Sequence, residues 1–265
     1  MVTPPRLENV PTSRRSAPGG FPGSRGPARY LVRPALLACV LVVLYFAVSA
    51  QQLDMIEQRS LNAEYILSRT LKHIELTGVV SVLILLIAIP VGVLLTRERF
   101  RRWSGPVLAV ANISQAIPSV GLIVLFAVGF IALDVNAIAV IAFVLYGILP
   151  VMRNTIAGLQ QVDRSVIQAA CGMGMTKKGI LFTIELPLSV PVMLAGVRTT
   201  LTITVGTVAL ATFVGAGGLG DIISNGIASN RNLVLATGSV IVAVLALLLD
   251  WLAGIAEDIL RPEGV

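Results

Sequence analysis

The sequence predicts an all-α membrane protein, a polytopic bundle of about six transmembrane helices. Residues of the set AVILMFWYC make up 55% of the 265 residues, and charged residues only 13%. Soluble domains carry about 25% charged residues, so this chain has too few charges to cover an apolar core in water. The apolar residues also form runs of the length that crosses a bilayer, about 20 residues. The composition excludes a disordered or collagen-like chain, and two cysteines make no disulfide framework.

Six apolar segments account for the predicted spans. They lie at 31–50, 76–95, within 103–133, and at 135–152, 186–213 and 233–249. The last is short, and we expect residues 250–253 to extend it at the interface. Pro118 interrupts the third. The first segment has a second interpretation, because basic residues precede it and Val48-Ser49-Ala50 end it, as in a cleavable signal peptide. Its length favours a retained anchor.

The segments outside the main bundle have distinct compositions. Residues 1–29 are rich in Pro, Gly, Ser and Arg, which predicts a disordered basic tail. Segment 53–72 mixes polar and apolar residues without glycine, which favours an amphipathic helix on the outer face. We therefore divide the chain into a tail (1–29), an extra N-terminal helix with an amphipathic segment (30–72) and a transmembrane domain (73–259). His73, the sole histidine, is expected at the membrane interface, and one histidine makes no metal site.

Loop charges predict the orientation. The loops at 97–102 and 153–178 each carry a net charge of +3, whereas 54–75 carries −1. Basic loops stay in the cytoplasm, so both termini are expected inside. The overall charge of +6 then reflects membrane topology, and no nucleic-acid partner is indicated.

The long cytoplasmic loop at 153–185 is the most informative segment. Asp163 or Ser165 is suited to cap a short helix there, and the glycines at 172, 174 and 179 are suited to end it. The small residues Ala169, Ala170 and Gly174 leave a surface that another protein can approach closely.

This loop resembles the "EAA" loop of bacterial ABC importer permeases, which reads Glu-Ala-Ala, three residues, Gly, nine residues, then Ile-x-Leu-Pro. Gln168 stands in place of the glutamate, so the loop keeps the shape of that side chain but not its charge. The resemblance implies that the loop couples the permease to an ATPase. The residues it assigns to coupling are Gln168, Ala169, Ala170, Gly172, Gly174, Ile184, Leu186 and Pro187.

From residue 73 to 259 the chain resembles the permeases of glycine betaine/carnitine/choline (osmoprotectant) importers. The stretches that carry the resemblance are IPVGVL at 89–94, QAIPS at 115–119, LPVMRNT at 149–155, GMGMT at 172–176, AGVRT at 195–199 and GAGGLGD at 215–221. The last is shared with methionine-importer permeases and marks only the broader group.

The resemblance implies a type I ABC importer permease fold in the bacterial cell membrane. It implies translocation of a small quaternary-ammonium osmoprotectant such as glycine betaine, choline, carnitine or proline betaine. The implied partners are an ABC ATPase dimer, a second permease (an identical copy or a paralogue), an extracytoplasmic binding protein and the lipid bilayer. No cofactor is expected on this chain, since ATP and Mg²⁺ belong to the ATPase.

No nucleotide site is predicted in the chain itself. Residues 215–220 fit G-x-G-x-x-G, but they follow a membrane span rather than a strand, so we reject a dinucleotide site. The G-x-x-x-x-G-K-[ST] pattern is missing from the sequence. We therefore expect a transport subunit without an ATPase activity of its own.

Polar residues within the spans are candidates for the translocation pathway. The fifth span is polar on two opposite faces, which predicts a position inside the bundle or at a dimer axis. For Arg198 the alternative is a structural pair with a backbone carbonyl or an acid of another helix. The candidate pathway residues are Gln115, Pro118, Arg198, Thr200, Thr202, Thr204 and Thr207.

Three other functions remain open from the sequence. A methionine or other amino-acid ABC importer permease shares most of the motifs. An ion-coupled secondary transporter or channel would place ionisable residues in mid-span, where only Arg198 stands clearly. A structural membrane anchor would need no ordered cytoplasmic loop.

Overall fold

The computed structural model describes residues 28–260, and all regular structure in that range is helical. The α-helices are α1 Ala28–Ser49, α2 Met55–Ser60, α3 Ala63–Thr96, α4 Ser104–Ala116, α5 Ser119–Gly129, α6 Val135–Gln161, α7 Arg164–Gly172, α8 Lys177–Ile180, α9 Leu186–Val208, α10 Gly220–Ala228 and α11 Asn232–Leu260. A 3-10 turn (Arg101–Trp103) precedes α4, a π-helical turn (Leu181–Glu185) joins α8 to α9, and a 3-10 turn (Ala209–Val214) follows α9. The predicted tail, apart from its last two residues, lies outside the described residues.

The prediction of about six spans is confirmed. Five helical segments are long and apolar enough to cross a membrane, and α4 with α5 makes a sixth only as a broken pair bent by 100°. The break falls at Pro118, which precedes α5 and holds Ile117 in an extended conformation (ψ 132°). A proline disfavours helical backbone in the residue before it, so the chain turns there.

Helices run through two of the predicted boundaries. The segment expected as a separate amphipathic helix divides into short α2 and the first turns of α3, so the boundary at residue 73 lies inside one helix of 34 residues. Asn62 caps α3 through its side chain, which accepts a hydrogen bond from Glu64 N–H at 2.8 Å. A local cap, rather than the start of the apolar run, therefore sets where this helix begins.

The predicted loop at 153–185 is also shorter than expected. Helix α6 continues to Gln161, and the fifth span is helical from Lys177 to Val214. Only residues 162–176, including α7, separate the two spans. The sixth span, predicted at 233–249 with an extension to 253, runs as a helix from Asn232 to Leu260.

The core lies between α3, α6 and α9. A stripe of buried residues on α3, including Val80 and Ile84, faces α6. A Cβ atom on Gly147 would lie 2.6 Å from Ile84 Cδ1, and one on Gly196 would lie 2.6 Å from the Asn154 Cβ. Small residues let membrane helices approach closely, and here they bring α6 against both neighbours.

The end of the bundle where α3 begins is closed around His73. The interfacial position of His73 stays a prediction, and its side chain is fully buried within the protein. Its Nε2 lies 3.0 Å from the Val205 carbonyl oxygen, and Leu219 N–H donates to its Nδ1 at 3.3 Å. A Cβ on Gly218 would lie 3.2 Å from the same ring, and one on Gly220 would overlap the Ala209 carbonyl oxygen at 1.8 Å. The glycine-rich segment at 215–220 is thus a packed turn.

Candidate functional site

Helix α7 stands by itself between the fourth and fifth spans. Asp163 caps its start, where the side chain accepts a hydrogen bond from Ser165 N–H at 2.8 Å. The hydrogen bonds from the Ser165 backbone and side chain hold the pKa of Asp163 below its usual value. At the other end Met175 N–H donates to the Ala170 carbonyl oxygen, and Gly174 adopts a left-handed φ of +83°. Local sequence therefore sets both ends of this helix.

The structure divides the predicted coupling residues between two elements. Gln168, Ala169, Gly172 and Gly174 are exposed on or directly after α7, whereas Ala170 is buried beneath it. Ile184, Leu186 and Pro187, all half-buried, belong to the π-helical turn and the start of α9. The first group forms an accessible surface, and the second anchors the loop to the fifth span.

Exposed apolar side chains flank the small residues of α7. Val166 is 41% exposed and Met173 is 76% exposed. An exposed apolar face beside small residues is typical of a contact surface for another protein.

A second loop is joined to this one by ion pairs that sequence analysis missed. Arg97, directly after α3, lies 2.6 Å from the Glu185 carboxylate, which is almost completely buried. Glu98 lies 3.6 Å from Lys177, with both side chains exposed. The sequence feature that indicates such a pair is the acidic Glu185 in a mainly basic loop. The α3–α4 loop and the start of the fifth span thus form one structural unit.

Between these elements lies a cleft of about 930 Å³. Its walls come from the α3–α4 loop, the end of α6, the inner side of α7 and the start of α8. Gln168 is the predicted coupling residue that lines it. The charged side chains of the lining are Arg97, Glu98, Arg99, Arg101, Arg164, Lys177, Lys178 and Glu185.

The predicted pathway threonines do not come together on one face of α9. Thr200 and Thr204 are buried, and the Thr200 hydroxyl donates to the Gly147 carbonyl oxygen of α6 at 3.3 Å. Thr202 is exposed on the far side, and the Thr207 hydroxyl donates to the Ile203 carbonyl oxygen of its own helix. The two polar faces therefore have different surroundings, one inside this subunit and one at its surface.

Arg198 lies on the outer surface of α9 and pairs with Asp250 of α11. The contact is bidentate: Nη2 donates to Oδ2 at 2.7 Å, and Nε donates to Oδ1. Glu257 lies 3.7 Å from Arg198, and Arg33 of α1 lies 3.6 Å from Asp250. This geometry corresponds to the structural pair that the sequence left open as an alternative.

Gln115 and Pro118 lie at the end of α4 and at the break after it. The Gln115 side chain donates to the Tyr146 carbonyl oxygen of α6 at 3.1 Å. One turn earlier, the Asn112 side chain accepts a hydrogen bond from Arg153 at 2.6 Å. These bonds hold α4 against α6 just before the chain bends.

No metal site is formed within residues 28–260, where no three His, Cys, Asp or Glu side chains come together as ligands would. The polar groups of the loop region are mainly cations, which outnumber the carboxylates, and this balance suits contact with another macromolecule.

Comparison with known proteins agrees with this architecture. The family model "Binding-protein-dependent transport system inner membrane component" matches residues 88–261. The carnitine transport permease protein OpuCD of Listeria monocytogenes is 36% identical over 210 residues, which cover 79% of this chain and 92% of that protein. The choline transport system permease protein OpuBB of Bacillus subtilis is 34% identical over 205 residues, which cover 77% and 92%.

A solved structure has the same fold. An inward-facing conformation of the MetNI methionine ABC transporter includes a chain with a TM-score of 0.64 and 25% identity. The match covers 75% of this chain and 97% of that one. Fold and site together define the present protein as a permease of the ABC importer class. More specifically, the chain belongs to the family of binding-protein-dependent transport system inner membrane components.

Proposed function

We propose that this protein is the permease through which an ABC importer moves a small quaternary-ammonium osmoprotectant into the cell. The observation that carries the proposal is similarity over nearly the full length of permeases named for carnitine and choline. Both compounds carry a quaternary ammonium group, and glycine betaine and proline betaine share that group, so any of the four compounds is a substrate of one chemistry.

In this proposal α7 is the contact point of the ATPase. The helix is capped at both ends and exposed, and it carries small residues (Ala169, Gly172) between exposed apolar ones. A rigid helix transmits a displacement better than a flexible loop does. The ion pair between Arg97 and Glu185 passes that displacement to α3 and to the fifth span together.

The same arrangement supports an orientation and an assembly. The basic residues at 97–102 and 153–178 favour a cytoplasmic position for the α7 end, with both termini on that side. The binding protein then docks at the opposite end, near His73 and the glycine-rich turn. A second permease copy or a paralogue completes the pathway, and ATP with Mg²⁺ is bound by the separate ATPase dimer.

Uptake measurements test the proposal. Cells with and without this gene are given labelled choline, carnitine, glycine betaine or methionine. We expect gene-dependent uptake of at least one quaternary-ammonium compound, and uptake should stop when cellular ATP is depleted while the proton gradient is maintained. Uptake that persists without ATP would contradict the proposal and indicate an ion-coupled transporter.

A methionine permease is the second candidate, favoured by the structural likeness to the methionine transporter. Gene-dependent uptake of methionine alone would support it. As a control, Gly78→Ala should transport normally, because a Cβ at that position meets nothing within 4 Å.

A further inference from the structure

The cleft behind α7 concentrates positive charge. Six cationic and two acidic side chains line it, a balance of +4. The general preference for basic cytoplasmic loops explains why these cations are present, but not why they converge. Other cations of the same loops lie elsewhere: Arg153 bonds to Asn112, and Arg102 lies over the Trp103 ring. The convergence is therefore a property of this cleft.

Most of this charge is not neutralised within the described part of the chain. The almost completely buried Glu185 is engaged by Arg97 at 2.6 Å. The remaining acid, Glu98, is 94% exposed and lies 3.6 Å from Lys177. In residues 28–260 no carboxylate forms an ion pair with the four other cations of the lining, which are Arg99, Arg101, Arg164 and Lys178.

Gln168 is a neutral polar residue of this cleft. It lines the cavity from the inner side of α7, together with Ile167 and Cys171. A carboxylate there would neutralise part of the cationic lining from within the same chain. Because the position holds an amide, the lining keeps its full charge for a ligand from outside.

We infer that the cleft receives an acidic segment of the ATPase, so that carboxylates of the partner sit among Arg99, Arg101, Arg164 and Lys178. The inference rests on the proposed function and specifies its partner. Since α7 itself forms one wall, a protein that covers α7 also covers this cleft. An anionic lipid headgroup is the other ligand that suits such a basic pocket, and the experiment below includes it as an outcome.

Such an interface depends on ionic strength. Opposite charges at a protein interface raise affinity most at low salt, because the Debye length shrinks from about 30 Å at 0.01 M to about 8 Å at 0.15 M. Charge contacts at the edge of an interface mainly change the association rate and its salt dependence. Association of permease and ATPase should therefore weaken as salt is added.

The experiment uses the full-length permease co-expressed with the ATPase subunit of its own transporter. Affinity is measured in detergent at low and high salt for the unmodified chain and for Arg101→Glu with Arg164→Glu. We expect the double variant to bind about tenfold more weakly at low salt, with the difference disappearing at high salt. Arg102→Glu, in the same loop but outside the cleft, is the matched control and should bind normally.

Two further measurements separate a charge effect from misfolding. Gln168→Glu should unfold at the unmodified temperature, because the surrounding cations neutralise the new carboxylate, yet it should reduce the salt dependence of binding. Changing acidic residues of the ATPase surface to lysine should restore binding to the Arg101/Arg164 double variant. Restoration by an opposite charge is not expected if the variant has simply lost its fold.

The outcomes are distinct. Binding of the double variant that equals that of the unmodified chain at low salt would overturn the inference. A double variant that loses transport only in bilayers containing anionic lipid would also overturn the inference. That result would assign the cleft to lipid headgroups. If the unmodified permease retains no ATPase at any salt concentration, the proposed function itself fails.

Discussion

The ion pair between Arg198 and Asp250 joins two membrane-spanning helices at a partly exposed site. Their side chains are 33% and 24% exposed in the isolated subunit. Asp250→Asn leaves the Arg198 cation with Glu257 at 3.7 Å as its remaining acidic neighbour. A cation left within a membrane helix costs about 2.5–3.5 kcal/mol on insertion scales. We expect a loss of stability in that range, since the site is neither fully buried nor fully in water.

Thermal unfolding in nanodiscs measures this loss. For a domain of 150–250 residues, about 1 kcal/mol lowers Tm by about 2–4 °C, so Asp250→Asn should lower Tm by about 5–14 °C. Arg198→Gln should have a similar effect, because it leaves Asp250 with only the more distant Arg33 at 3.6 Å. The double variant Arg198→Leu/Asp250→Leu should recover most of the loss, since an apolar pair replaces two charges at a lipid-facing or interhelical surface.

Recovery in the double variant is the decisive comparison. If the two single changes each lower Tm and the double variant lowers it by their sum, the residues do not act as a pair. If neither single change has an effect, Arg198 lies in water and the polar face of α9 lines an aqueous pathway. Normal uptake by the double variant would show in addition that the pair stabilises the fold without contacting substrate.

Three further expectations concern α7 and helix packing. Gly174→Val should reduce coupled transport more than Gly174→Asn, because φ is +83° there and valine adopts left-handed backbone poorly; equal transport by both would contradict this. Gly196→Ala should lower Tm by a few degrees, because its Cβ would overlap Asn154, whereas Gly206→Ala on the same helix meets nothing within 4 Å and should not. The Asp163 carboxylate should stabilise α7 at pH values above its ordinary pKa of about 3.9. This stabilisation should be lost as the pH falls through the pKa of Asp163 in the folded protein, which is lowered. Hydrogen exchange in α7 measures that loss, and Asp163→Asn should abolish its pH dependence.

Features that depend on nearby residues were predictable from the sequence. The spans follow from the length of apolar runs, because the bilayer imposes that length on each helix separately. The cap of α7 at Asp163 and its end at Gly174 are local, since each involves residues only a few positions apart. The break at Pro118 is local for the same reason.

The ends of the helices were less predictable, because the apolar run of residues ends before the helix does. Helix α3 begins at Ala63, in a mainly polar stretch that precedes its apolar run. Helix α6 continues to Gln161, beyond the end of its own apolar run. Once a helix is nucleated, each added residue contributes a hydrogen bond at low cost, so it continues until a cap or a proline ends it. The apolar run locates the membrane but not the ends of the helix.

The sequence by itself determined that this is a helical membrane protein with a capped helix between its fourth and fifth spans. Only the tertiary structure decided that Arg198 pairs with Asp250, 52 positions away, that Arg97 meets Glu185, and that His73 is buried against Val205. The difference lies in the separation along the chain over which each effect acts. Bilayer thickness and capping act on adjacent residues, whereas the partner of a charge or an imidazole depends on which helices pack together, and that is set by small residues spread along the whole chain.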